Sequence, residues 1–383
     1  MPTSAPRLIR LCLLLIFLQL LHPASGRATG QHTPDGKALF QANCAACHGS
    51  DGTGTPKAQL GYDPPPDFTD CSFATVEPDA DWYAVAHDGG PARAFSRRMP
   101  AFGEALSAED LSAILRHIRG FCGEAGWPRG ELYLPRPFLT EKAFPEYETV
   151  FTGTISTGDE PAVGLQVLYE QRFGSRNQFE IALPVDARDV DPGQGSGGQG
   201  TSGWQRGLGD VAVAVKRALV HSLDAGYIFS AAAELVFPTG KEDRGLGKGT
   251  TIFEPYLAFG KILPSDSFVQ AQAGAEFPFD RDIAANEGFW RLAYGRTFTE
   301  GPLGFGRAWT PMVELAGARE FESGASTHWD IVPQMQVSLS RRQHILVNAG
   351  VQIPVNDRTG RSTRILTYLL WDWFDGGLFE GWR

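Results

Sequence analysis

The sequence has little that is typical of helical membrane proteins or of nucleic-acid-binding proteins. Only one long apolar run occurs, at residues 8–21, so the composition does not indicate a bundle of membrane-spanning helices. The formal net charge of -10 argues against a nucleic-acid partner. Sulfur-containing residues are also few, with five cysteines and four methionines among 383 residues. Each of them can therefore be considered individually.

The apolar run at residues 8–21 predicts a secretory signal peptide. Arg7 precedes it, and the small residues Ala24, Ser25 and Gly26 follow it. We expect residues 1–26 to be a cleaved signal peptide and the protein to be exported. Cys12 lies within this segment and is lost with it.

The sequence Cys44-Ala45-Ala46-Cys47-His48 predicts covalent attachment of one haem c. Two thiols three positions apart on a helical turn can each form a thioether with one porphyrin vinyl group. The adjacent imidazole then faces the iron. A zinc site would need a second pair of ligands at suitable spacing, which the chain lacks.

Two cysteines remain after the haem motif and the signal peptide are assigned. Cys71 and Cys122 stand apart from each other and from any ligand pair. In an oxidising compartment the simplest prediction is a disulfide between them, and two free thiols are the alternative.

Three helices are predicted around the haem motif. The first starts at Pro34-Asp35 and leads into the motif, and the second opens at Asp79 or Asp81. The last follows a capping box at Ser107 and carries an apolar face at i, i+3, i+4 and i+7, made by Leu111, Ile114, Leu115 and Ile118.

The sixth position of a haem iron decides between electron transfer and chemistry at an open iron. Met99 is the candidate ligand because it precedes Pro100 on an extended segment before the last helix. A thioether opposite an imidazole favours reduced iron and raises the potential. His87 and His117 are rival ligands, and Met99 as a core side chain is the alternative without function.

Residues 29–123 resemble a class I c-type cytochrome, with a haem helix, a long loop, a Met-Pro segment and a C-terminal helix. The resemblance implies that Cys44 and Cys47 bind the haem, that His48 is its proximal ligand and that Met99 is the distal one. It assigns no role to the Cys71 and Cys122 pair, which is additional to the usual pattern.

A change of period separates this domain from the rest of the chain. Residues 124–145 contain four prolines without an apolar period, which predicts a semi-rigid linker. Apolar and polar residues then alternate, as in Val163, Leu165, Val167 and Tyr169. About twelve strands are predicted, near 146–157, 162–173, 177–187, 208–220, 225–238, 250–263, 267–279, 288–299, 307–320, 328–340, 344–356 and 362–374.

The connections between these strands predict a transmembrane barrel at residues 146–374, followed by a tail at 375–383. Short connections alternate with long ones, and aromatic residues lie near strand ends. The predicted fold is therefore a small all-α class I cytochrome c followed by an antiparallel transmembrane β-barrel. We expect inward-facing acids to form a structural network with Arg172 and similar partners: Glu170, Glu180, Glu234, Glu276 and Glu314.

The whole layout resembles the fused cytochrome-porin proteins of bacteria that oxidise extracellular iron. This resemblance implies electron transfer at or across the outer membrane, with the cytochrome domain on the periplasmic side. The partners that it implies are periplasmic redox proteins, outer-membrane lipid and an extracellular donor such as ferrous iron. It also implies that the protein is an electron carrier and not a substrate-transforming enzyme.

Two other functions stay open at this point. The barrel is a solute pore or anchor that carries a periplasmic redox module, or the protein is a haem peroxidase or gas-binding protein with an open iron position. Twelve strands leave a limited lumen, and one haem does not by itself span an apolar band of about 25 Å.

Overall fold

The computed structural model describes residues 34–123, 126–156, 158, 161–190, 203–300, 308–356 and 361–381. The predicted signal peptide lies outside these residues. Among them, no helix has the length and apolar character needed to cross a membrane.

The N-terminal part of the described chain is helical. Its helices are α1 (Gly36–Asn43), α2 (Ala45–His48), α3 (Lys57–Leu60), α4 (Cys71–Ala74), α5 (Asp79–Asp88) and α6 (Ala108–Arg119). Helix α1 begins where the Asp35 carboxylate accepts a hydrogen bond from the backbone N–H of Ala38. Helix α6 begins at the predicted capping box, in which Ser107 and Asp110 bond each other's backbone N–H groups. Both helices bury apolar side chains in one core, around Phe40 and Ile114.

The C-terminal part is one antiparallel sheet. Its strands are β1 (Tyr147–Ser156), β2 (Ala162–Phe173), β3 (Asn177–Val190), β4 (Gly203–Leu208), β5 (Val211–Ser222), β6 (Tyr227–Phe237), β7 (Ile252–Leu263), β8 (Ser267–Pro278), β9 (Glu287–Arg296), β10 (Phe298–Thr299), β11 (Ala308–Glu320), β12 (His328–Ser338), β13 (Ile345–Pro354) and β14 (Arg364–Asp372). Each pairs antiparallel with its neighbours.

The sheet closes on itself as a twelve-strand barrel. Strand β1 pairs with both β2 and β14, which closes the sheet. Strand β9 pairs directly with β11. Strand β4 continues β5 along β3, and β10 continues β9 along β11. The predicted fold class and the number of about twelve strands are confirmed, because these continuations add no further position around the barrel.

Two predicted strands were wrong in that each is interrupted. The strand predicted at 208–220 breaks between β4 and β5, at Gly209 and Asp210. The Asp210 carboxylate accepts hydrogen bonds from the N–H groups of Gly240 (2.9 Å) and Lys248 (2.6 Å), which draws the chain toward the next loop. The strand predicted at 288–299 breaks between β9 and β10.

The outer face of the barrel is apolar and exposed. Alternate side chains on it include Leu165 (50% exposed), Val185 (50%) and Val215 (57%). Between them lie inward-facing polar residues such as Glu170 and Gln178, which are fully buried. An exposed apolar belt around a closed sheet is the surface that a lipid bilayer covers.

One end of the barrel carries the shorter turns, and we call it the short-turn end. The connections at 174–176, 223–226 and 264–266 lie there, together with the start of β1 and the end of β14. The helical domain contacts this end, where the Arg93 guanidinium donates to the carbonyl of Arg342 (2.6 Å) and pairs with Asp375 (3.1 Å).

Residues 132–146 lie inside the barrel, and we call them the lumen segment. Side chains from around the wall hold its backbone: Gln270 donates to the carbonyl of Pro135 (2.7 Å) and Arg291 to that of Leu139 (2.7 Å). The Tyr368 hydroxyl donates to the carbonyl of Arg136 (2.6 Å). The stretch predicted to be a linker therefore also fills the lumen.

Candidate haem site

The two cysteines of the haem motif lie at the junction of two helices. Helix α1 ends at Cys44, whose N–H donates to the carbonyl of Phe40 (2.8 Å), and α2 follows directly. The backbone N–H of His48 donates to the carbonyl of Cys44 (2.9 Å), so one helical turn joins them. Both thiols are free and partly exposed. Burial, and then the neighbouring Cys47, raise the pKa of Cys44 to about 11.

The imidazole of His48 lies in an aromatic environment. It stacks on Phe68 with 4.7 Å between ring centroids and 12° between planes. Its Nδ1 is buried without a hydrogen-bond partner among the described residues. Burial lowers the pKa of His48 to about 4, so the ring is neutral at pH 7, the form that ligates metals.

Apolar side chains from three helices surround the motif. Phe40 from α1 and Leu115 and Ile118 from α6 form the buried core, and Cys44 packs against it. Trp82 from α5 approaches Phe68 at 5.3 Å between centroids. Such a surface suits a large, flat and mostly apolar cofactor.

Met99 lies on the loop before α6, near the haem motif. Its carbonyl accepts a hydrogen bond from the N–H of Gly90 (3.0 Å). The adjacent Arg98 stacks on the ring of Tyr62 at 4.0 Å, and the Tyr62 hydroxyl contacts the Cys47 sulfur at 3.6 Å. These contacts bring the Met99 segment and the cysteines together, so the predicted residues share one region.

The two rival histidines have other partners. His87 contacts the Asp88 carboxylate through Nδ1 at 2.7 Å. His117 makes edge contacts with Phe40 at 5.3 Å and with Phe121 at 4.9 Å. The carboxylate contact accounts for His87 without an iron, whereas Nε2 of His117 is buried without a hydrogen-bond partner among the described residues, so His117 stays a rival ligand.

The donor set fits a haem. It offers two unbridged thiols, a half-buried neutral imidazole with a buried, unpartnered nitrogen and a thioether on the adjoining loop. The other two cysteines, Cys71 and Cys122, form a disulfide with 5.2 Å between their Cα atoms. The bridge joins α4 to the end of α6 and leaves the haem motif free.

Two family models match the chain. One is described as "Putative MetA-pathway of phenol degradation" and matches residues 163–368, slightly more than half of the chain. The chain belongs to that family. The other is described as "Cytochrome C oxidase, cbb3-type, subunit III" and matches residues 31–118. The member described here therefore carries a c-type cytochrome domain, a class that implies haem, in front of its family barrel. No curated protein matches the sequence.

Several solved structures resemble the barrel. An outer membrane channel from Pseudomonas putida F1 is 13% identical with a TM-score of 0.42, covering 62% of this chain and 99% of the channel. The beta domain of the Bordetella autotransporter BrkA is 17% identical with a TM-score of 0.37, covering 59% and 97%. LpxR from Salmonella typhimurium is 7% identical with a TM-score of 0.39, covering 58% and 99%. The closed barrel of this family member rests on its own strand pairing.

Three of the five predicted inward-facing acids, Glu170, Glu180 and Glu314, are bonded inside the barrel, but the main cation is not the predicted one. Glu234 and Glu276 make no ion pair with any residue that the structure describes. Arg136 of the lumen segment pairs with Glu170 (2.6 Å) and Glu148 (2.7 Å). Glu314 accepts hydrogen bonds from the N–H groups of residues 138–140. Arg172 makes no ion pair with any residue that the structure describes, and its guanidinium instead lies over the Trp127 ring.

Sequence reasoning missed the lumen segment as a functional element. Its charged residues, Arg136, Glu141 and Lys142, lie among prolines and have no apolar period. Lys142 contacts Glu146 and Glu148 inside the barrel. The available signal was the excess of inward-facing acids on the strands, since buried charges need partners of the opposite sign.

Proposed function

We propose that this protein is an electron carrier in which one covalent haem c is held at the surface of the outer membrane by a closed barrel. The observation that carries the proposal is the pair of free thiols, Cys44 and Cys47, beside the half-buried neutral imidazole of His48 in a c-type cytochrome domain. When bound, the haem supplies a one-electron redox couple.

The roles of the four residues follow from their chemistry. Cys44 and Cys47 attach the porphyrin, and His48 is the proximal ligand. Met99 is the distal ligand, which excludes small molecules from the iron and favours the reduced state. Phe68 and Trp82 limit the access of water to the imidazole side.

The contacts inside the barrel support a role as an anchor and not as a solute pore. The lumen segment crosses its interior and is bonded to wall residues on several strands, among them Gln270, Arg291, Glu314 and Tyr368. The helical domain contacts the short-turn end, which is the periplasmic end in barrels of this type. We therefore propose a periplasmic cytochrome domain, with periplasmic redox proteins as partners.

Replacement of Met99 tests the ligand assignment. In Met99→Ala we expect the haem to stay covalently attached while the His/Met absorption signature disappears. The reduction potential should fall by part of the ~0.8 V range that axial ligands span. Met335→Ala is the matched control, because Met335 lies on the outer barrel face and is 41% exposed.

An unchanged spectrum and potential in Met99→Ala would remove Met99 from this role. Carbon monoxide bound by the reduced wild-type protein as readily as by the variant would instead favour the gas-binding alternative, since that result requires an open iron position.

A further inference from the structure

A cavity of about 320 Å³ lies where the cytochrome domain meets the barrel. Three separate parts of the chain line it, and we call it the basic cleft. Its lining residues are Ala74, Thr75, Arg119 and Cys122 of the cytochrome domain, Trp127 and Arg129 of the connecting segment, and His221, Ser222 and Leu223 at the end of β5 and the start of the turn after it. We propose that the basic cleft binds a phosphate group.

Every charged side chain in the lining is basic, although the whole chain has a net charge of -10. Arg119 and Arg129 both pair with Asp79, at 2.8 Å and 2.7 Å, and Arg129 also pairs with Glu131 at 2.8 Å. These two acids lie behind the arginines and hold them in place. They do not line the cavity.

The lining has donor atoms left over. Nε of Arg129 and Nε2 of His221 are buried and have no hydrogen-bond partner among the residues described. Buried donors of this kind are costly unless a ligand or water satisfies them. An anion with several acceptor oxygens accepts from Nε of Arg129 and, in the tautomer that carries its proton on Nε2, from His221 as well.

Two further arginines add positive charge behind the wall. Arg172 is 2% exposed, and its guanidinium lies 4.6 Å from the ring of Trp127, which lines the cleft. Its Nε and Nη1 have no partner in the described part of the chain. Arg176 donates only to carbonyls, those of Gly126 (2.8 Å) and Leu219 (3.3 Å). Of the residues that the structure describes, only Asp79 and Glu131 form an ion pair with any of these four arginines.

Phosphate fits this arrangement better than a single carboxylate. Guanidinium groups bind phosphate oxygens in a bidentate manner, and the volume exceeds that of a small ion. The cleft also borders the membrane surface, because Val220 (51% exposed) and Leu223 (37%) are apolar residues beside it at the short-turn end. The phosphate comes either from a phospholipid headgroup or from free phosphate, and the test separates these sources.

The test uses the full-length protein with its haem, in a non-ionic detergent that contains no phosphate. Binding is measured by calorimetry with inorganic phosphate, with short-chain phosphatidylglycerol and with the matching diacylglycerol, which lacks the phosphate. The variants are Arg129→Gln and His221→Gln. Arg217→Gln is the matched control, since Arg217 is exposed on the same strand and bonds only Asn177 (2.7 Å).

We expect wild-type protein to bind a phosphate-bearing probe and not diacylglycerol. Each cleft variant should bind at least about tenfold more weakly, and Arg217→Gln should stay within about twofold of wild type. Phosphatidylglycerol binding without phosphate binding identifies a lipid headgroup, and binding of both identifies phosphate itself as sufficient.

The proposal is overturned if neither phosphate-bearing probe binds, or if Arg129→Gln and His221→Gln bind as wild type does. His221→Gln keeps the result interpretable should Arg129→Gln misfold, because His221 holds no ion pair with the residues described. An unchanged melting temperature of that variant shows that the fold is intact.

Discussion

At the scale of single residues, Arg136 has the most consequential position in the barrel. Its guanidinium is buried between the carboxylates of Glu148 and Glu170, at 2.7 Å and 2.6 Å. Its backbone carbonyl also accepts a hydrogen bond from Tyr368. One residue of the lumen segment therefore neutralises acids from two neighbouring strands.

We expect Arg136→Met to destabilise the barrel strongly. Removal of one partner from a buried ionic network costs about 3–5 kcal/mol, because the remaining charges have no compensation. Thermal unfolding in detergent, followed by circular dichroism, measures the loss. Arg217→Met is the control, and a surface change of this kind costs within about 0.5 kcal/mol. Equal melting of Arg136→Met and wild type would show that the network contributes nothing to stability.

Arg93 has a comparable role where the cytochrome domain meets the barrel. Its buried guanidinium faces Glu77 (2.9 Å), Asp81 (3.3 Å) and Asp375 (3.1 Å), so one cation serves three carboxylates. Burial, and then the charge of Glu77, raise the pKa of Asp375 well above its usual value, and Arg93 opposes this rise only in part. Asp375 therefore keeps its proton in the folded protein at pH values where the unfolded chain releases it.

This difference in proton binding predicts that the Arg93 cluster stabilises the folded protein less as pH rises. The folded state binds more protons than the unfolded state, so the free energy of unfolding falls as pH increases above the ordinary Asp value of 3.8. Asp375→Asn cannot titrate and should reduce the pH dependence of cytochrome-domain unfolding, while Asp81 of the same cluster, whose pKa burial also raises well above its usual value, keeps part of it. Asp266→Asn, on an exposed turn at the same end, should leave it unchanged. A slope in Asp375→Asn equal to that of wild type contradicts the assignment.

At the scale of elements, the strands were predictable and the lumen segment was not. Alternation of apolar and polar residues located most strands to within a few residues, because bilayer and lumen impose opposite polarity on successive side chains. Strand breaks such as Gly209-Asp210 depend on a loop distant in sequence and leave no local periodic signal. The burial of Leu132 (2% exposed) and Phe144 (2%) is likewise imposed by a surrounding wall that the local sequence does not contain.

The lumen segment should close the barrel to ions. If residues 133–143 are replaced by a Gly/Ser stretch of equal length, the ion pairs of Arg136 and Lys142 with the wall acids Glu148 and Glu170 are lost and the lumen becomes hydrated. We expect the wild-type protein to show little conductance in planar bilayers and the replacement to conduct. A Gly/Ser replacement at the exposed loop 281–284 serves as control. Equal conductance of all three proteins would mean that the segment does not obstruct the lumen.

The haem site, like the barrel, was predictable from the sequence only in part. The spacing of Cys44, Cys47 and His48 is a local signal, and the helical turn that joins them follows from it. The stacking of His48 on Phe68 and the contact of Tyr62 with Cys47 and Arg98 depend on the folded loop between residues 49 and 67. No spacing rule contains these contacts, so sequence reasoning predicted the ligands without their surroundings.

At the scale of the whole molecule, the arrangement favours a one-sided electron carrier. The cytochrome domain lies against the short-turn end, while the lumen segment fills the barrel beside it. One haem at that end is separated from the far side by the height of the apolar band, about 25 Å. A transmembrane route would need a further carrier, which places the proposed activity at one face of the outer membrane.

Reconstitution in liposomes tests this account most directly. A redox dye is enclosed, and a membrane-impermeant reductant is added outside to vesicles whose outward-facing cytochrome domains are counted by protease accessibility. We predict that the fraction of haem reduced equals the outward-facing fraction and that the enclosed dye stays oxidised. Reduction of the dye, or of haem in inward-facing molecules, would contradict the account and show that electrons cross the barrel.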